Sequence, residues 1–252
     1  MNKLYAIIPC YNEENNIDAL IKKWINITDF LKQFSIDCLE IVLINDGSND
    51  NTKKIIESKM KKYPQITLIE HGINKGLGET LKTGLKYVVN KSNDNDFICT
   101  MDGDNTHDPL YLVNMFNKVI NLKADCIIAS RYCKTSKIKG VPFYRNFMSF
   151  GAKLFFSIIL HIPNVKDYTC GYRLYSSKIL KKSFEKYGEK IITEKGFTCM
   201  VELLYKLYKS GCIFEEAPFT LNYDKKIGQS KMKVLKNAIK SITIGIKLRL
   251  NY

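Results

Sequence analysis

The sequence predicts an α/β fold, with a mostly parallel central sheet flanked by helices and amphipathic helices in the C-terminal half. Three observations carry that prediction. Short apolar runs of strand length recur, and segments with helical spacing lie between them. Most of the runs break into loops rich in Asn, Asp and Gly. No run of about 18 uninterrupted apolar residues competes as a spanning helix. In such sheets the crossovers are right-handed and ligands bind beyond the carboxyl ends of the strands.

Leu4-Tyr5-Ala6-Ile7-Ile8, stopped by Pro9, reads as a buried strand of parallel type. A polar loop follows, then Ile17, Leu20, Ile21, Trp24 and Ile25 at helical spacing. A second strand over 39–44 ends in Asn45-Asp46-Gly47-Ser48-Asn49-Asp50, and its helix carries Ile55, Ile56 and Met60 before Pro64. A third over 66–69 leads to His71-Gly72-Ile73-Asn74-Lys75-Gly76-Leu77-Gly78 and a helix through Leu81, Leu85 and Val88. The fourth, over 96–99, runs into Thr100-Met101-Asp102-Gly103-Asp104-Asn105-Thr106-His107-Asp108-Pro109, where Pro109 suits the first turn of a helix. The fifth, over 126–129, ends in Ser130-Arg131-Tyr132. Beyond it, 172–175 and 212–221 read as strands, and 197–209 as a helix with Leu203, Leu204, Leu207 and Tyr208 as its core face.

The chain has 252 residues, enough for one large domain over 1–230 and a basic helix over 231–252. Its eight cysteines form no C-x-x-C pair, and most lie in apolar runs, as buried reduced thiols do. The first strand begins within a few residues of Met1, which leaves no room for a signal peptide and suggests a cytoplasmic setting. The net charge of +14 is carried mostly by lysine and points to nucleic acid, an anionic membrane or phosphorylated substrates. Nucleic acid is disfavoured: the arginines are few and the aromatics fall at core positions rather than forming a stacking platform.

Asp102 and Asp104 sit where a strand gives way to a loop, and paired carboxylates there suit Mg²⁺ or Mn²⁺ shared with substrate phosphates. A turn alone would also explain an Asn/Asp/Gly-rich stretch. The other strand ends favour the metal, since they carry Asn12, Glu13, Asp46, Lys75 and Arg131 on the same edge. The glycines at 72, 76 and 78 fit neither G-x-G-x-x-G nor a Walker loop; they read as a loop-to-helix turn whose amides and Lys75 could contact a ligand.

Six motifs in order give a resemblance. They are Pro9-Cys10-Tyr11-Asn12-Glu13, Asn45-Asp46-Gly47-Ser48-x-Asp50, the glycine segment, Asp102-x-Asp104, Asp167-Tyr168-Thr169-Cys170-Gly171-Tyr172-Arg173, and Glu216-x-Pro218 with Tyr223-Asp224 and Gly228-x-Ser230-Lys231. Over about 3–232 the chain resembles family 2 glycosyltransferases of the GT-A fold, within them the dolichyl-phosphate mannose synthase-like group. The resemblance implies inverting, metal-dependent transfer of a hexose from a nucleotide diphosphate sugar to a polyprenyl phosphate. It implies a donor pocket of Pro9, Tyr11, Glu13, Asp46, Lys75, Asp102 and Asp104, with Asp102, Asp104 and Thr106 toward the metal. Arg131, Arg145, Arg173 and Lys231 become candidates for the acceptor phosphate, and Asp104, Arg131 and Asp167 for the chemistry. Many relatives carry Gln where Thr106 stands, Asp at Asn45 and Arg at Asn222. A phosphate nucleophile needs no general base; a sugar hydroxyl, as in a soluble polysaccharide or glycoprotein transferase, would need one, and Asp167 is then the nominee.

Over 143–162 the polar residues Arg145, Ser149, Lys153, Ser157 and His161 recur every four positions on an otherwise apolar helix. The tail over 231–252 alternates apolar residues with Lys233, Lys236, Lys240, Lys247 and Arg249. Each could be a core or solvated helix; together they predict a peripheral hold on the cytoplasmic face of a membrane.

Overall fold

The computed structural model describes residues 2–225 and 234–251. The five apolar runs of the first half become β1 (Asn2–Cys10), β2 (Ile36–Asp46), β3 (Ile66–His71), β4 (Phe97–Thr100) and β5 (Cys126–Ser130). Between them lie α1 (Ile17–Asn26), α2 (Thr28–Lys32), α3 (Thr52–Met60), α4 (Leu77–Lys91) and α5 (Leu112–Leu122). Pro109 opens a single 3₁₀ turn ahead of α5, and the Asp108 side chain caps it by accepting from the Leu110 amide. The second half adds β6 (Lys137–Lys139), α6 (Phe143–Ile159), β7 (Arg173–Ser176), α7 (Ser177–Tyr187), α8 (Cys199–Lys209), β8 (Phe214–Pro218), β9 (Thr220–Asn222) and α9 (Val234–Asn251).

Seven strands form one sheet in the order β3-β2-β1-β4-β7-β5-β8. β1 is its spine: Leu4, Ala6, Ile7 and Ile8 are fully buried, and parallel neighbours flank it on both sides. β2–β3 and β5–β8 are parallel as well, so the expected α/β sheet is present and mostly parallel. β7 runs antiparallel to both β4 and β5. Its register explains the reversal: Arg173, its first residue, pairs with Thr100 at the carboxyl end of β4, so the strand starts at the loop edge and runs back. The run predicted over 212–221 divides at Phe219 into β8, in the main sheet, and β9, which pairs with β6 in a two-stranded sheet.

Six of the eight cysteines are buried and all are free, as expected of most of them; Cys38 is exposed and Cys133 half-buried. α6 is amphipathic as its pattern requires, but apart from Phe156 and its neighbours much of its apolar surface looks outward. Phe143, Phe147 and Ile158 are 84%, 68% and 68% exposed, and Tyr144, Phe150 and Leu154 join them. The polar stripe turns in, where Tyr132 donates to the Ser149 carbonyl and Lys153 lies over the Tyr132 ring. α9 packs along α6 so closely that a Cβ on Gly245 would come within 2.7 Å of the Phe155 ring. Ile244 and Leu248 are buried there, while Ile242, Ile246 and Leu250 stay exposed. No described helix is long and apolar enough to cross a membrane. Lys231, Lys233, Lys226 and the Gly228-x-Ser230 motif lie outside the described residues.

Candidate active site: a cleft at the strand ends

A cleft of about 660 Å³ opens at the carboxyl ends of β1, β2, β4 and β5 and continues along α6. Pro9, Tyr11, Glu13, Asp46, Asp102, Asp104, Thr106, Arg131 and Arg145 all line it. Residues scattered through the sequence thus meet because parallel strands deliver their loops to one edge.

The loops after β1 and β2 are tied to each other. Asn12, in the left-handed region at φ 52°, accepts from the Asn49 amide through Oδ1 at 2.8 Å and donates its own amide to Ser48 Oγ at 2.9 Å. The Glu13 amide donates to Thr52 Oγ1 at 2.7 Å, and Glu13 Oε2 accepts from Asn16 Nδ2 at 2.8 Å. Asp46 is buried and already engaged: Oδ1 takes the Lys75 amide at 2.9 Å and faces His71 Nδ1 at 2.7 Å, while Oδ2 takes the Gly76 amide at 2.9 Å. Burial alone would lift its carboxyl, but those donors together hold it below the ordinary value.

These bonds revise the glycine segment. The amides of Lys75 and Gly76 serve Asp46, and the Gly78 amide donates to the Lys195 carbonyl at 2.9 Å. A Cβ at Gly78 would overlap the Glu194 carbonyl oxygen, and one at Gly76 would stand 2.7 Å from that of Lys195. The glycines therefore admit the 194–195 loop against the start of α4. Lys75 is exposed and does not line the cleft.

Asp102 and Asp104 both face the cleft, and Asp102 is 40% exposed. Thr106 braces Asp104: its hydroxyl donates to Oδ1 at 2.7 Å and its amide to the same oxygen at 3.2 Å. A Cβ on Gly171 would lie 2.9 Å from Asp102 Oδ1, so glycine leaves that carboxylate its space. Among the described residues no three His, Cys, Asp or Glu side chains form a metal-holding group. Two carboxylates facing a cleft fit instead an ion that completes its shell with substrate oxygens, as Mg²⁺ and Mn²⁺ do.

Arg131 enters from the end of β5 and is gripped by Asp167. Its Nε donates to Oδ2 at 2.8 Å, one terminal nitrogen donates to Oδ1 at 2.6 Å, and the same nitrogen donates to Thr169 Oγ1 at 2.6 Å. Asp167 also accepts the amides of Arg131 and Cys170. Although Asp167 is fully buried, which by itself raises a carboxyl, Arg131 beside it holds it below the ordinary value. A carboxylate so engaged is a poor proton acceptor, and its contacts set it to orient Arg131. Glu216, unremarked within its motif, holds the same turn by accepting the amides of Lys166 and Asp167, both at 2.7 Å.

Arg173 is corrected. It is fully buried and its guanidinium donates to the carbonyls of Met200 and Tyr168, both at 2.9 Å. It stands behind the cleft wall and lines no part of it. Arg145 does face the cleft, where it donates to the Tyr223 hydroxyl at 2.6 Å. His71, His107, Phe197 and Thr198 complete the surroundings and had no motif in the sequence to announce them, apart from lying beside ones that did.

A sheet of this order, with a pair of aspartates at the end of β4 and a cleft running across the strand ends, is the architecture of the GT-A fold. The chain belongs to glycosyl transferase family 2, whose model matches residues 5–184. It is 30% identical over 232 residues to a dolichol-phosphate mannosyltransferase of Pyrococcus furiosus, covering 92% of this chain and 59% of that one. It is 25% identical to a dolichyl-phosphate beta-glucosyltransferase of Trichomonas vaginalis, covering 97% and 72% of the two chains. Among solved structures it resembles glucosyl-3-phosphoglycerate synthase of Mycobacterium tuberculosis, in complex with Mn²⁺, UDP and phosphoglyceric acid. The TM-score there is 0.67 at 15% identity, over 98% of this chain and 78% of that one. At that identity the likeness concerns the fold.

Proposed function

We propose that this glycosyltransferase moves a hexose, mannose or glucose, from a nucleotide diphosphate sugar to a polyprenyl phosphate at a membrane surface. The observation that carries the reading is the change of character along the cleft. At the strand ends it is lined by carboxylates and Arg131; along α6, Phe147, Met148, Ala152 and Phe155 add apolar surface beside Arg145, Asn146 and Ser149. A phosphate on a long apolar chain has that same order of polarity. The outer face of α6 is bare of charge and exposes large apolar side chains, which suits the interfacial region of a bilayer.

In the proposed reaction an acceptor phosphate oxygen bonds to the anomeric carbon while the bond from that carbon to the nucleoside diphosphate breaks. The electron pair leaves with the diphosphate. Asp102 and Asp104, with Thr106 bracing the latter, would hold Mg²⁺ or Mn²⁺, and that ion when bound supplies Lewis-acid neutralisation of the leaving group. Pro9, Tyr11 and Glu13 would bound the nucleoside, and Asp46 would shape that wall from behind. Arg131, fixed by Asp167, and Arg145 would draw the acceptor phosphate in by charge-assisted hydrogen bonds. That phosphate has a second pKa of about 6 and arrives largely deprotonated at neutral pH, so no base is required. The engagement of Asp167 with Arg131 supports this acceptor over a sugar hydroxyl.

The test is a panel of labelled nucleotide sugars with Mn²⁺, with and without polyprenyl phosphate. Label entering the lipid fraction only when lipid phosphate is supplied supports the reading and names the donor. Transfer to a water-soluble acceptor without lipid overturns it in favour of a soluble glycosyltransferase.

A further inference from the structure

His107 is the buried group that the donor chemistry leaves unused. It is 5% exposed and lines the cleft. Its ring packs beside Tyr172 and Phe219, with centroids 5.5 and 5.4 Å away, which restricts its swing. Its Nδ1 makes no hydrogen bond and lies 4.0 Å from Asp102 Oδ2. An unsatisfied buried nitrogen costs on the order of 1–3 kcal/mol and calls for a reason. Thr106 braces Asp104, and His107 is placed to add a donor to Asp102.

We propose that His107 is a positioning residue of the donor site: its Nδ1–H donates to Asp102 Oδ2 once a divalent ion draws the carboxylate into place. The inference rests on the reading of Asp102 and Asp104 as the divalent-ion site. Closing from 4.0 Å to a hydrogen bond of about 2.8 Å takes a carboxylate shift of roughly 1 Å. A half-exposed side chain such as Asp102 can make that shift, while the packed ring stays where it is. Neutral imidazole with the proton on Nδ1 suffices. The bond would fix which carboxylate oxygen faces the ion, and partners of that kind change metal affinity by about 10–100-fold. The bland alternative is that the ring merely fills space between two aromatics, in which case its nitrogen is irrelevant.

The two are separated by substitutions that keep volume and vary the donor. H107N sets an amide nitrogen close to where Nδ1 stands; H107L is nearly isosteric with Asn and has no donor; H107F keeps an aromatic ring without one. The measurement is Mn²⁺ affinity of the full chain with a nucleoside diphosphate present, read by electron paramagnetic resonance of free Mn²⁺ against the nucleotide alone, beside a thermal unfolding scan. Expected is a 10–100-fold weaker Mn²⁺ affinity in H107L and H107F, with most of the loss recovered in H107N. Donor-free variants that bind Mn²⁺ like the unsubstituted protein overturn the proposal, and so does an H107N as weak as H107L. D104A keeps the underlying reading separate: if it binds Mn²⁺ as tightly as the unsubstituted protein, the divalent-ion site itself is wrong and His107 has no carboxylate to position. Should H107F unfold, the H107N and H107L pair decides alone.

Discussion

The donor side of the cleft and the α6 side are made in opposite ways. On the donor side three loops at the strand ends satisfy one another: Asn12 with Ser48 and Asn49, Asp46 with the amides of Lys75 and Gly76, Thr106 with Asp104. Those groups are paired with one another, and His107 Nδ1 is the exception on that side. On the α6 side the polar residues point inward, Phe156 is buried, and Phe143, Phe147, Phe150, Leu154 and Ile158 lie exposed. A self-satisfied wall suits a site that must hold fixed charges in fixed places. An uncovered apolar wall suits one whose missing surface is supplied from outside.

The sharpest way to break this contrast is at the donor wall. D104A is expected to lower transfer on the order of 10³-fold while the fold is retained, because it removes the charge opposite the leaving diphosphate. Turnover is the readout, with circular dichroism as the fold control; a variant of unchanged activity removes Asp104 from the site. D167N comes next, at the seam between the two sides. It leaves the half-buried Arg131 guanidinium without its counter-charge, which should cost about 2–3 kcal/mol, below the range for fully buried pairs because Arg131 borders the open cleft. Denaturant midpoints test that figure. Acceptor KM should rise more than donor KM, since Arg131 and not the nucleoside wall loses its support.

On the α6 side a triple change of Phe150, Leu154 and Ile158 to Glu tests the uncovered face. The expected result is loss of co-sedimentation with anionic vesicles and about tenfold slower transfer to lipid phosphate, while nucleotide binding stays intact. If vesicle binding survives the triple change, the apolar face of α6 is not the membrane surface. The loss should be smaller than for D104A, because it removes a docking surface and leaves the reacting groups in place.

How much of this was legible follows the same division. The strand ends were readable because an apolar run broken by Asn, Asp or Gly has few other meanings, and parallel topology then gathers the breaks. That is why Tyr11, Glu13, Asp46, Asp102, Asp104 and Arg131 meet as expected. Arg173 was not readable: an arginine at a strand start is usually exposed, and only tertiary structure supplies the two carbonyls that let it be buried. The glycine segment is the loop-to-helix turn it was read as, but what Gly76 and Gly78 make room for, residues 194–195, lies more than a hundred positions away and was not readable. The stripe on α6 was plain in the pattern, but periodicity gives a helix two faces without saying which one looks out.

A last comparison sets both sides against the opposite end of the sheet, where a polar cluster has no part in the cleft. Glu40 on β2 accepts from Lys3 Nζ at 2.6 Å, Tyr87 hydroxyl at 2.9 Å, Thr67 hydroxyl at 2.9 Å and Lys91 Nζ at 3.2 Å. Burial would raise its carboxyl, but these donors outweigh it and bring it from 4.5 down to about 2. A folded pKa below the unfolded one means that the contribution to stability is complete above about 4.5 and is lost as pH falls through about 2. E40Q removes the charge at every pH. It should cost on the order of 2–3 kcal/mol at pH 7, and the difference from the unsubstituted protein should shrink as pH drops between those values. Denaturation midpoints across that range measure it. Mn²⁺ affinity and transfer at neutral pH should stay unchanged, because no cleft residue touches this cluster. A pH-independent gap would mean that Glu40 acts by shape and hydrogen bonding alone, with its charge contributing nothing.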